Sequence, residues 1–427
     1  MRRISAVEVL YIDRQGGMVD SAVIAGLDIG TDRIRVLIAE YDSDGKFLVS
    51  GWGESRSEGT RRGVVVNIEA AREAILTAIE AAEQEAGRTV TELLVALGGP
   101  SVSSLNSRGV VPVSGKNREI RAADVERVLE AARAVVIPMD RDILHILPQE
   151  YIIDDQRGVR NPIDMIGIRL EAEVHIVTAS VSVMKNMEKA MERAEYKIRD
   201  MVLGTLATAR ASLSDEEKEM GVLLMDIGTS STDYISVYGG APRVTGSVPF
   251  GGTQATSDLS IVLKIPMEWA ERIKCELGCC WESLVREEEN AIVPGIGGRK
   301  TISIPASDIC HILKPRVTEI FMMVKRGIEK SVGLIETGAG IVLAGGGALL
   351  PGITDLAESV FGQPVRVANP KSSVSWPNPC CDTRWTKTAG LILLGDVIAG
   401  TNKGREVQET ELSNPFRGLL KWLGEFF

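Results

Sequence analysis

The chain is poor in two features that nucleic-acid-binding proteins need: aromatic side chains and positive charge. Only 4% of its 427 residues are Phe, Trp or Tyr, which disfavours a surface on which bases stack. The formal net charge is −10, whereas binding to a phosphate backbone requires a basic surface. The composition therefore argues against nucleic acid as the main partner. The length is sufficient for two or more domains.

Cysteine is scarce, and its spacing does not fit a disulfide framework. Two pairs are adjacent in sequence, so we expect reduced thiols, as in a cytosolic protein. A metal site built from Cys275, Cys279, Cys280 and Cys310-His311 is an alternative, but its spacing matches no zinc template well, and small buried residues are the preferred interpretation. The six cysteines are Cys275, Cys279, Cys280, Cys310, Cys380 and Cys381.

No uninterrupted apolar stretch reaches the roughly 18 to 20 residues that a membrane-spanning helix requires. The N-terminal Met1-Arg2-Arg3 is soon followed by acidic residues and is not expected to begin a signal peptide. Any contact with a membrane is therefore expected to be peripheral.

Two short segments share one pattern, in which an apolar run ends in Asp-Ile-Gly-Thr and a second apolar run follows. The first is Asp28-Ile29-Gly30-Thr31-Asp32-Arg33, and the second is Asp226-Ile227-Gly228-Thr229-Ser230-Ser231. Each predicts a β-hairpin whose turn presents backbone N–H groups to an anion. The aspartate of each turn can hold a phosphate-bound Mg²⁺ through water. Two such hairpins indicate a duplicated fold that grips a nucleotide from both sides.

A third glycine-rich element lies near the C-terminus. The apolar run Ile341–Ala344 leads into Gly345, Gly346 and Gly347, and a helix is predicted to follow. Glycines allow the backbone to approach a flat or phosphorylated ligand, and the helix would point its N-terminus at that ligand. Because this element follows the two hairpins in the chain, it supports the prediction of a nucleotide-binding site.

Residues 104–176, between the hairpins, are predicted to be an inserted module without a phosphate-binding signature. Ile143–Ile153 and Ile163–Val177 alternate in hydrophobicity as half-buried strands do. His145 and His175 lie in these apolar segments and are predicted to be structural, with a role as base or ligand as the alternative.

These elements resemble the actin-like ATPase superfamily and, within it, the FtsA family of bacterial cell-division proteins. The resemblance covers about residues 22–427 and implies an α/β, two-lobed actin-like fold, a duplicated ribonuclease H-like fold with a small inserted α+β module and a C-terminal amphipathic helix. Besides the hairpins and the glycine-rich segment, it rests on Gly63-Val64-Val65-Val66-Asn67-Ile68-Glu69, Leu147-Pro148-Gln149-Glu150-Tyr151, Glu219-Met220-Gly221-Val222 and Ala270-Glu271-Arg272-Ile273-Lys274.

The resemblance also implies that ATP and Mg²⁺ lie between the lobes, with Asp28 and Asp226 holding the metal. Glu271 and Lys274 would reach the adenosine, and a surface i,i+3 ion pair is the alternative. The residues that would bind the nucleotide are Asp28, Gly30, Thr31, Arg33, Asp226, Gly228, Thr229, Ser230, Ser231, Glu271, Lys274, Gly345, Gly346 and Gly347.

The sequence departs from the family pattern in both phosphate loops. Arg33 stands where the family usually has Lys, which keeps the charge but changes the donor geometry. Thr229-Ser230-Ser231-Thr232 replaces a turn richer in glycine, which restricts its backbone. The helix before the second hairpin, at 201–213, offers no Gln, Glu or Asp to orient a water. We therefore expect at most weak ATPase activity.

The C-terminal residues 414–427 have the pattern of an amphipathic helix after a polar linker. Asn414 can cap it, and Pro415 suits the first helical position. Its length of about 21 Å falls short of a bilayer core of about 30 Å. An interfacial helix is therefore favoured, and packing on its own protein is the alternative. The membrane-facing side would consist of Phe416, Leu419, Leu420, Trp422, Leu423, Phe426 and Phe427.

The function implied by the resemblance is to bind ATP, self-assemble and anchor the FtsZ polymers of the Z ring. The protein would act peripherally on the cytoplasmic face of the membrane at the division site and help recruit downstream division proteins. Arg299 and Arg316 are predicted to bind FtsZ; the alternative is that both are solvated surface charges. A small-molecule kinase and an actin-like scaffold of the PilM type are alternative functions. PilM is not expected to carry the terminal helix.

The predicted domain boundaries follow the same resemblance. They are an N-terminal extension (1–21), a first-lobe core (22–103 and 177–213), the module (104–176), a second-lobe core (214–243 and 308–370), an outer subdomain (244–307), a first-lobe return (371–399), a linker (400–413) and the membrane-targeting helix (414–427).

Overall fold

The computed structural model describes residues 11–12, 18–19, 23–42, 46–115, 117–286, 288–294, 301–332 and 337–402. Arg299, the linker from residue 403 onward and the C-terminal segment 414–427 lie outside the described residues. The assignments made for them from the sequence stay predictions.

The first lobe begins with strands and one long helix. They are β1 (Tyr11–Ile12), β2 (Met18–Val19), β3 (Ile24–Ile29), β4 (Arg33–Tyr41), β5 (Phe47–Arg56), β6 (Thr60–Arg61), β7 (Val64–Val65), α1 (Ile68–Ala86) and β8 (Glu92–Leu97). The Asn67 side chain caps α1 by accepting hydrogen bonds from the N–H groups of Glu69 and Ala70, and Gly87 ends the helix in a left-handed conformation. The buried alanine and isoleucine face of α1 packs on β4 and β5 and forms the core of this lobe.

An antiparallel module follows, with a hydrophobic core of its own. Its elements are β9 (Val102–Pro112), α2 (Ala122–Arg133), β10 (Arg141–Ile153), β11 (Gln156–Val159) and β12 (Arg169–Ser180). The strand order is β11-β10-β12-β9, and α2 covers one face. The strand predicted from Ile163 begins only at Arg169, so the first part of that prediction was wrong. Ile163, Ile166 and Ile168 precede the observed strand and are exposed.

The two histidines of the module are buried and hydrogen-bonded, as predicted for structural residues. His145 Nε2 accepts a hydrogen bond of 2.9 Å from the Leu203 N–H. His175 Nδ1 lies 2.7 Å from Asn106 Oδ1, and its Nε2 lies 2.9 Å from Thr245 Oγ1. Burial lowers the pKa of both histidines to about 4, so that both rings are neutral near pH 7.

The rest of the chain completes the first lobe and builds the second. Its elements are α3 (Val181–Arg193), β13 (Lys197–Leu203), α4 (Gly204–Ser212), α5 (Asp215–Met220), β14 (Val222–Ile227), β15 (Thr232–Tyr238), β16 (Ala241–Val248), α6 (Gly252–Leu263), α7 (Met267–Leu277), β17 (Asn290–Val293), β18 (Ile302–Pro305), α8 (Ala306–Val332), β19 (Ile341–Ala344), α9 (Ile353–Phe361), β20 (Val365–Val367) and α10 (Thr386–Asn402).

The two main sheets have the same topology. The first is ordered β5-β4-β3-β8-β13 and the second β16-β15-β14-β19-β20. In each, three antiparallel strands are followed by two that run parallel to the third. This repetition confirms the predicted duplicated, two-lobed α/β fold. None of the helices in the described residues is both long and apolar enough to cross a bilayer.

Helices α4 and α10 join the lobes. Helix α10 packs on β3, β4 and β8 of the first sheet, and α4 packs on β14 and β15 of the second. A Cβ atom at Gly390 of α10 would lie 1.8 Å from the carbonyl oxygen of Ala207 in α4, so the two backbones touch. One hydrophobic cluster therefore includes Leu94 of the first sheet, Leu224 of the second and Leu391 between them.

Asp124, in the first turn of α2, provides a test of the module's stability. Its carboxylate accepts hydrogen bonds from the Arg121 N–H at 3.0 Å and the Ser114 hydroxyl at 2.7 Å. Burial raises the pKa of this carboxyl, but the donors outweigh burial and lower it to about 2. We predict that Asp124→Asn lowers the local free energy of unfolding by roughly 2 kcal/mol near neutral pH.

The Asp124 carboxylate contributes this stability above its unfolded-state pKa near 4, and the contribution is lost as pH falls through the folded-state pKa. The difference in local free energy of unfolding between variant and wild type therefore narrows below about pH 4. Hydrogen exchange of the α2 amides measures it. Asp155→Asn is the control, because that side chain is fully exposed. Equal protection in both variants at neutral pH would contradict the prediction.

Candidate functional site

The two predicted hairpin turns face each other across a crevice between the lobes, whose volume is about 1110 Å³. Gly30 N–H donates to the carbonyl three residues on at 3.1 Å, and Gly228 N–H does the same in the second turn at 2.9 Å. The hydroxyl oxygens of Thr31 and Ser230 are 2.8 Å apart and link the turns directly. The lobes therefore meet at the sequence signatures themselves.

Lys387, in the first turn of α10, lies between the two hairpin aspartates. Its Nζ is 3.0 Å from Asp226 Oδ2 and 3.6 Å from Asp28 Oδ1. Burial lowers the pKa of Lys387, but the carboxylates of Asp226, Asp28 and Asp233 outweigh burial and raise it above its usual range. The ammonium therefore stays charged. The sequence analysis missed Lys387. Its only unusual feature is that it places a positive charge in the first turn of a helix, where the helix dipole disfavours one.

Asp233 is a third carboxylate at the floor of the crevice that the sequence analysis missed. It stands directly opposite Asp226 in the β14–β15 register, which the predicted hairpin could have indicated. The Gly99 N–H donates to its Oδ2 at 2.9 Å. Burial raises the pKa of Asp233, with an opposing effect from Lys387. The floor thus holds three carboxylates around one ammonium.

The other side of the crevice is formed by the glycine-rich segment and by α7. Lys274 Nζ lies 2.6 Å from Glu271 Oε2, 2.9 Å from Thr256 Oγ1 and 3.2 Å from the Gly252 carbonyl. The predicted i,i+3 pair is therefore present, and it is also tied to the N-terminal turn of α6. Gly345 begins the glycine-rich turn in a left-handed conformation with φ of 80°. These groups form a wall opposite the first hairpin.

All of the residues predicted to bind nucleotide border this crevice. The Arg33 side chain is half exposed, and its Nε lies 3.5 Å from Asp32 Oδ2. Their contacts with a ligand stay predictions. Arg316 lies elsewhere, on α8, where its guanidinium binds Asp258 at 2.6 and 3.0 Å and also Glu319.

The hairpin aspartates do not fit a directly coordinated Mg²⁺, because the Lys387 ammonium already lies between them. Among the described residues, no three His, Cys, Asp or Glu side chains form a metal-binding group. The cysteine cluster is a poor ligand set as well. Cys279, Cys280 and Cys310 are buried free thiols, and burial raises the pKa of Cys280 and, to about 11, that of Cys310.

Helix α4 lies next to Lys387, but none of its residues lines the crevice. It begins at Gly204 and contains threonine and serine hydroxyls but no carboxylate or carboxamide. A residue that orients a water for attack on a phosphate has no place on this helix. Slow or absent turnover therefore stays the expectation.

The duplicated sheets and the crevice between them define an actin-like protein, and solved structures share this fold. The chain is similar to a chain of the PilM–PilN type IV pilus biogenesis complex, with a TM-score of 0.64 and 16% identity, over 87% of this chain and 98% of that one. It is also similar to MreB5 of Spiroplasma citri bound to ADP, with a TM-score of 0.56 and 13% identity, over 90% and 99% of the two chains.

A family model described as "SHS2 domain inserted in FTSA" matches residues 99–178, and one described as "Cell division protein FtsA" matches residues 223–383. The FtsA protein of Borreliella burgdorferi is 42% identical, over 94% of this chain and 99% of its own length. Those of Pseudomonas aeruginosa and Escherichia coli K12 are 39% and 33% identical, over 87% and 88% of this chain and 89% and 91% of their own lengths. The chain belongs to the FtsA family of cell division proteins.

The glycine-rich turn generates a matched test. A Cβ atom at Gly345 would lie 2.3 Å from Asp226 Oδ1, whereas one at Gly346 would meet no atom within 4 Å. We predict that Gly345→Ala lowers the free energy of unfolding by roughly 2 to 3 kcal/mol, because strain and overlap add. Gly346→Ala should change it by less than about 1 kcal/mol. Urea denaturation measures both, and similar losses would show that the turn adjusts freely.

Proposed function

We propose that this chain binds ATP in the interlobe crevice, self-assembles, and attaches FtsZ polymers to the cytoplasmic face of the membrane at the division site. The observation that carries the proposal is the gathering of both hairpins, the glycine-rich turn and the Glu271–Lys274 pair around one crevice, in a member of the FtsA family. MreB5 of Spiroplasma citri, which shares the fold, is bound to ADP in one structure and to AMPPNP in another.

The arrangement suggests how the nucleotide would lie. The turns at Gly30 and Gly228 would present N–H groups to the phosphates. The adenosine would rest between the Gly345–Gly347 backbone and helix α7. Lys274, only 16% exposed, already donates to three partners, so it would exchange one of these hydrogen bonds for one to the ligand. Because α4 lacks a water-orienting residue, ATP would act as a conformational and assembly ligand.

Lys274→Met tests the adenosine side of the crevice. We predict that it weakens ATP binding by about tenfold or more, since a charge-assisted hydrogen bond is worth roughly 1.5 to 3 kcal/mol. Isothermal titration calorimetry with the full chain gives the dissociation constant. Arg272→Met on the same helix is the matched control, because Arg272 is 59% exposed and pairs outward with Glu276. An equal effect of the two substitutions would contradict this placement of the nucleotide.

Attachment to the membrane would depend on the C-terminal segment 414–427. Its apolar side, which includes Trp422 and Phe426, suits insertion at the interface between headgroups and acyl chains. A single short helix of this kind binds reversibly. In a polymer, each helix that attaches holds the others at high effective concentration, so assembly would strengthen attachment.

Binding of FtsZ would involve the outer part of the second lobe. Arg299 and Arg316 are the proposed basic contacts for an acidic peptide. The Arg316 guanidinium is shared between Asp258 and Glu319, so an incoming carboxylate would compete with two that are already present. Arg316 would thus contribute less to affinity than an unpaired arginine.

Vesicle co-sedimentation tests the proposal as a whole. The full chain should pellet with anionic vesicles, more strongly with ATP, and should carry FtsZ into the pellet. A chain ending at Ser413 should stay in the supernatant together with FtsZ, because it lacks the interfacial helix. Trp422→Glu in the full chain is the matched variant, since a charge on the apolar side opposes insertion. If the truncated chain pelleted with vesicles to the same extent as the full chain, membrane attachment by this segment would be rejected.

A further inference from the structure

Three buried carboxylates share a single ammonium at the floor of the crevice. Asp28, Asp226 and Asp233 are all at most 9% exposed. Asp226 and Asp233 are directly opposite each other on adjacent strands, an arrangement in which like charges repel. The Lys387 ammonium, 3.0 Å from Asp226 and 3.6 Å from Asp28, offsets one of these negative charges from a position between the two hairpin aspartates.

The position of Lys387 is built into the fold. Its side chain is only 22% exposed. Its stem passes Gly204, where a Cβ atom would lie 3.2 Å from both Lys387 Cδ and Cε. The helix that carries it is held against α4 by the backbone contact at Gly390. A lysine in the first turn of a helix opposes the helix dipole, so local preference does not explain its presence there.

A divalent cation and this ammonium would compete for one place. Mg²⁺ binds carboxylate oxygens at about 2.0 to 2.1 Å in octahedral geometry. A Mg²⁺ shared by Asp28 and Asp226 would therefore lie within a few Å of Lys387 Nζ, where two positive charges repel in a partly dehydrated site. A lysine ammonium, in turn, is an established ligand for phosphate, to which it acts as a point charge with three donors.

We propose that Lys387 is the built-in cation of this crevice, taking the place of a divalent metal between the two hairpin aspartates, so that ATP binds without Mg²⁺. This inference rests on the proposed binding of ATP and concerns the form in which ATP is bound. Lys387 would hold Asp226 with one donor and direct another toward the phosphates, which would lessen the repulsion between the phosphates and the carboxylates.

The test compares ATP binding by the full chain in excess Mg²⁺ and in EDTA, by isothermal titration calorimetry. For the wild type, the dissociation constant in EDTA should be less than about fivefold above that in Mg²⁺. A ratio above fivefold overturns the inference and leaves the proposed ATP binding intact. Absence of binding in both conditions overturns both. The wild-type comparison needs no variant and is independent of whether a variant folds.

Substitutions assign the effect to Lys387. In Lys387→Met, the ratio of the dissociation constants in EDTA and in Mg²⁺ should rise above about tenfold, because Mg²⁺ can then enter between the aspartates. Lys387→Arg keeps the charge and should retain a ratio near that of the wild type. Lys185→Met, on the exposed face of α3, is the control for loss of one positive charge. A Lys387→Met ratio equal to that of the wild type overturns the assignment.

Discussion

The contact between helices α4 and α10 is the constraint on which the rest of the structure depends. Their backbones touch at Gly390 and Ala207; α10 packs on the first of the duplicated sheets, and α4 packs on strands of both. The lobes therefore share a hydrophobic cluster beneath the crevice. Helix α10 begins at the floor of the crevice, and Gly204 at the start of α4 lies against the Lys387 side chain, so this contact also determines where Lys387 lies relative to the hairpins. The polar site above is thus positioned by apolar packing below it.

The two halves of the fold are alike in backbone but not in charge. In the first hairpin the residue opposite Asp28 is Arg35, whereas in the second the residue opposite Asp226 is Asp233. The second half consequently has an excess of negative charge at the floor. Lys387 offsets part of this excess from a helix that packs mainly on the first sheet. The asymmetry of the site thus links the lobes electrostatically, in addition to the shared hydrophobic cluster.

Sequence patterns were sufficient wherever one local segment determined the structure. Both hairpins form where the Asp-Ile-Gly-Thr segments predicted them, and the apolar run Ile341–Ala344 before the three glycines is strand β19. Residues that act through tertiary contacts were missed. Lys387 has no motif around it, and its partners are distant in the chain. Among the residues that the structure describes, the segment from Ile163 to Ile168 pairs with another segment only through an isolated bridge between Ile166 and Glu119, and alternation alone does not show that the regular strand begins at Arg169.

The module connects the two lobes at a second place, away from the crevice. It is continuous with the first lobe through β9 and β12, and it is hydrogen-bonded to β16 of the second. Ser104 Oγ donates to the Thr245 carbonyl at 2.8 Å, His175 Nε2 meets the Thr245 hydroxyl, and Gln149 Nε2 donates to the Pro242 carbonyl at 2.7 Å. These bonds are neutral and directional, so they tolerate little change in distance.

A nucleotide whose phosphates enter between the turns would have to separate Thr31 from Ser230, whose hydroxyls now hydrogen-bond each other. Because the lobes are joined below by α4 and α10, such separation at the crevice acts as a rotation about those helices. The same rotation changes the distances between the module and β16. If a ligand in the crevice favoured one interlobe angle, it would therefore also favour one position of the module relative to β16.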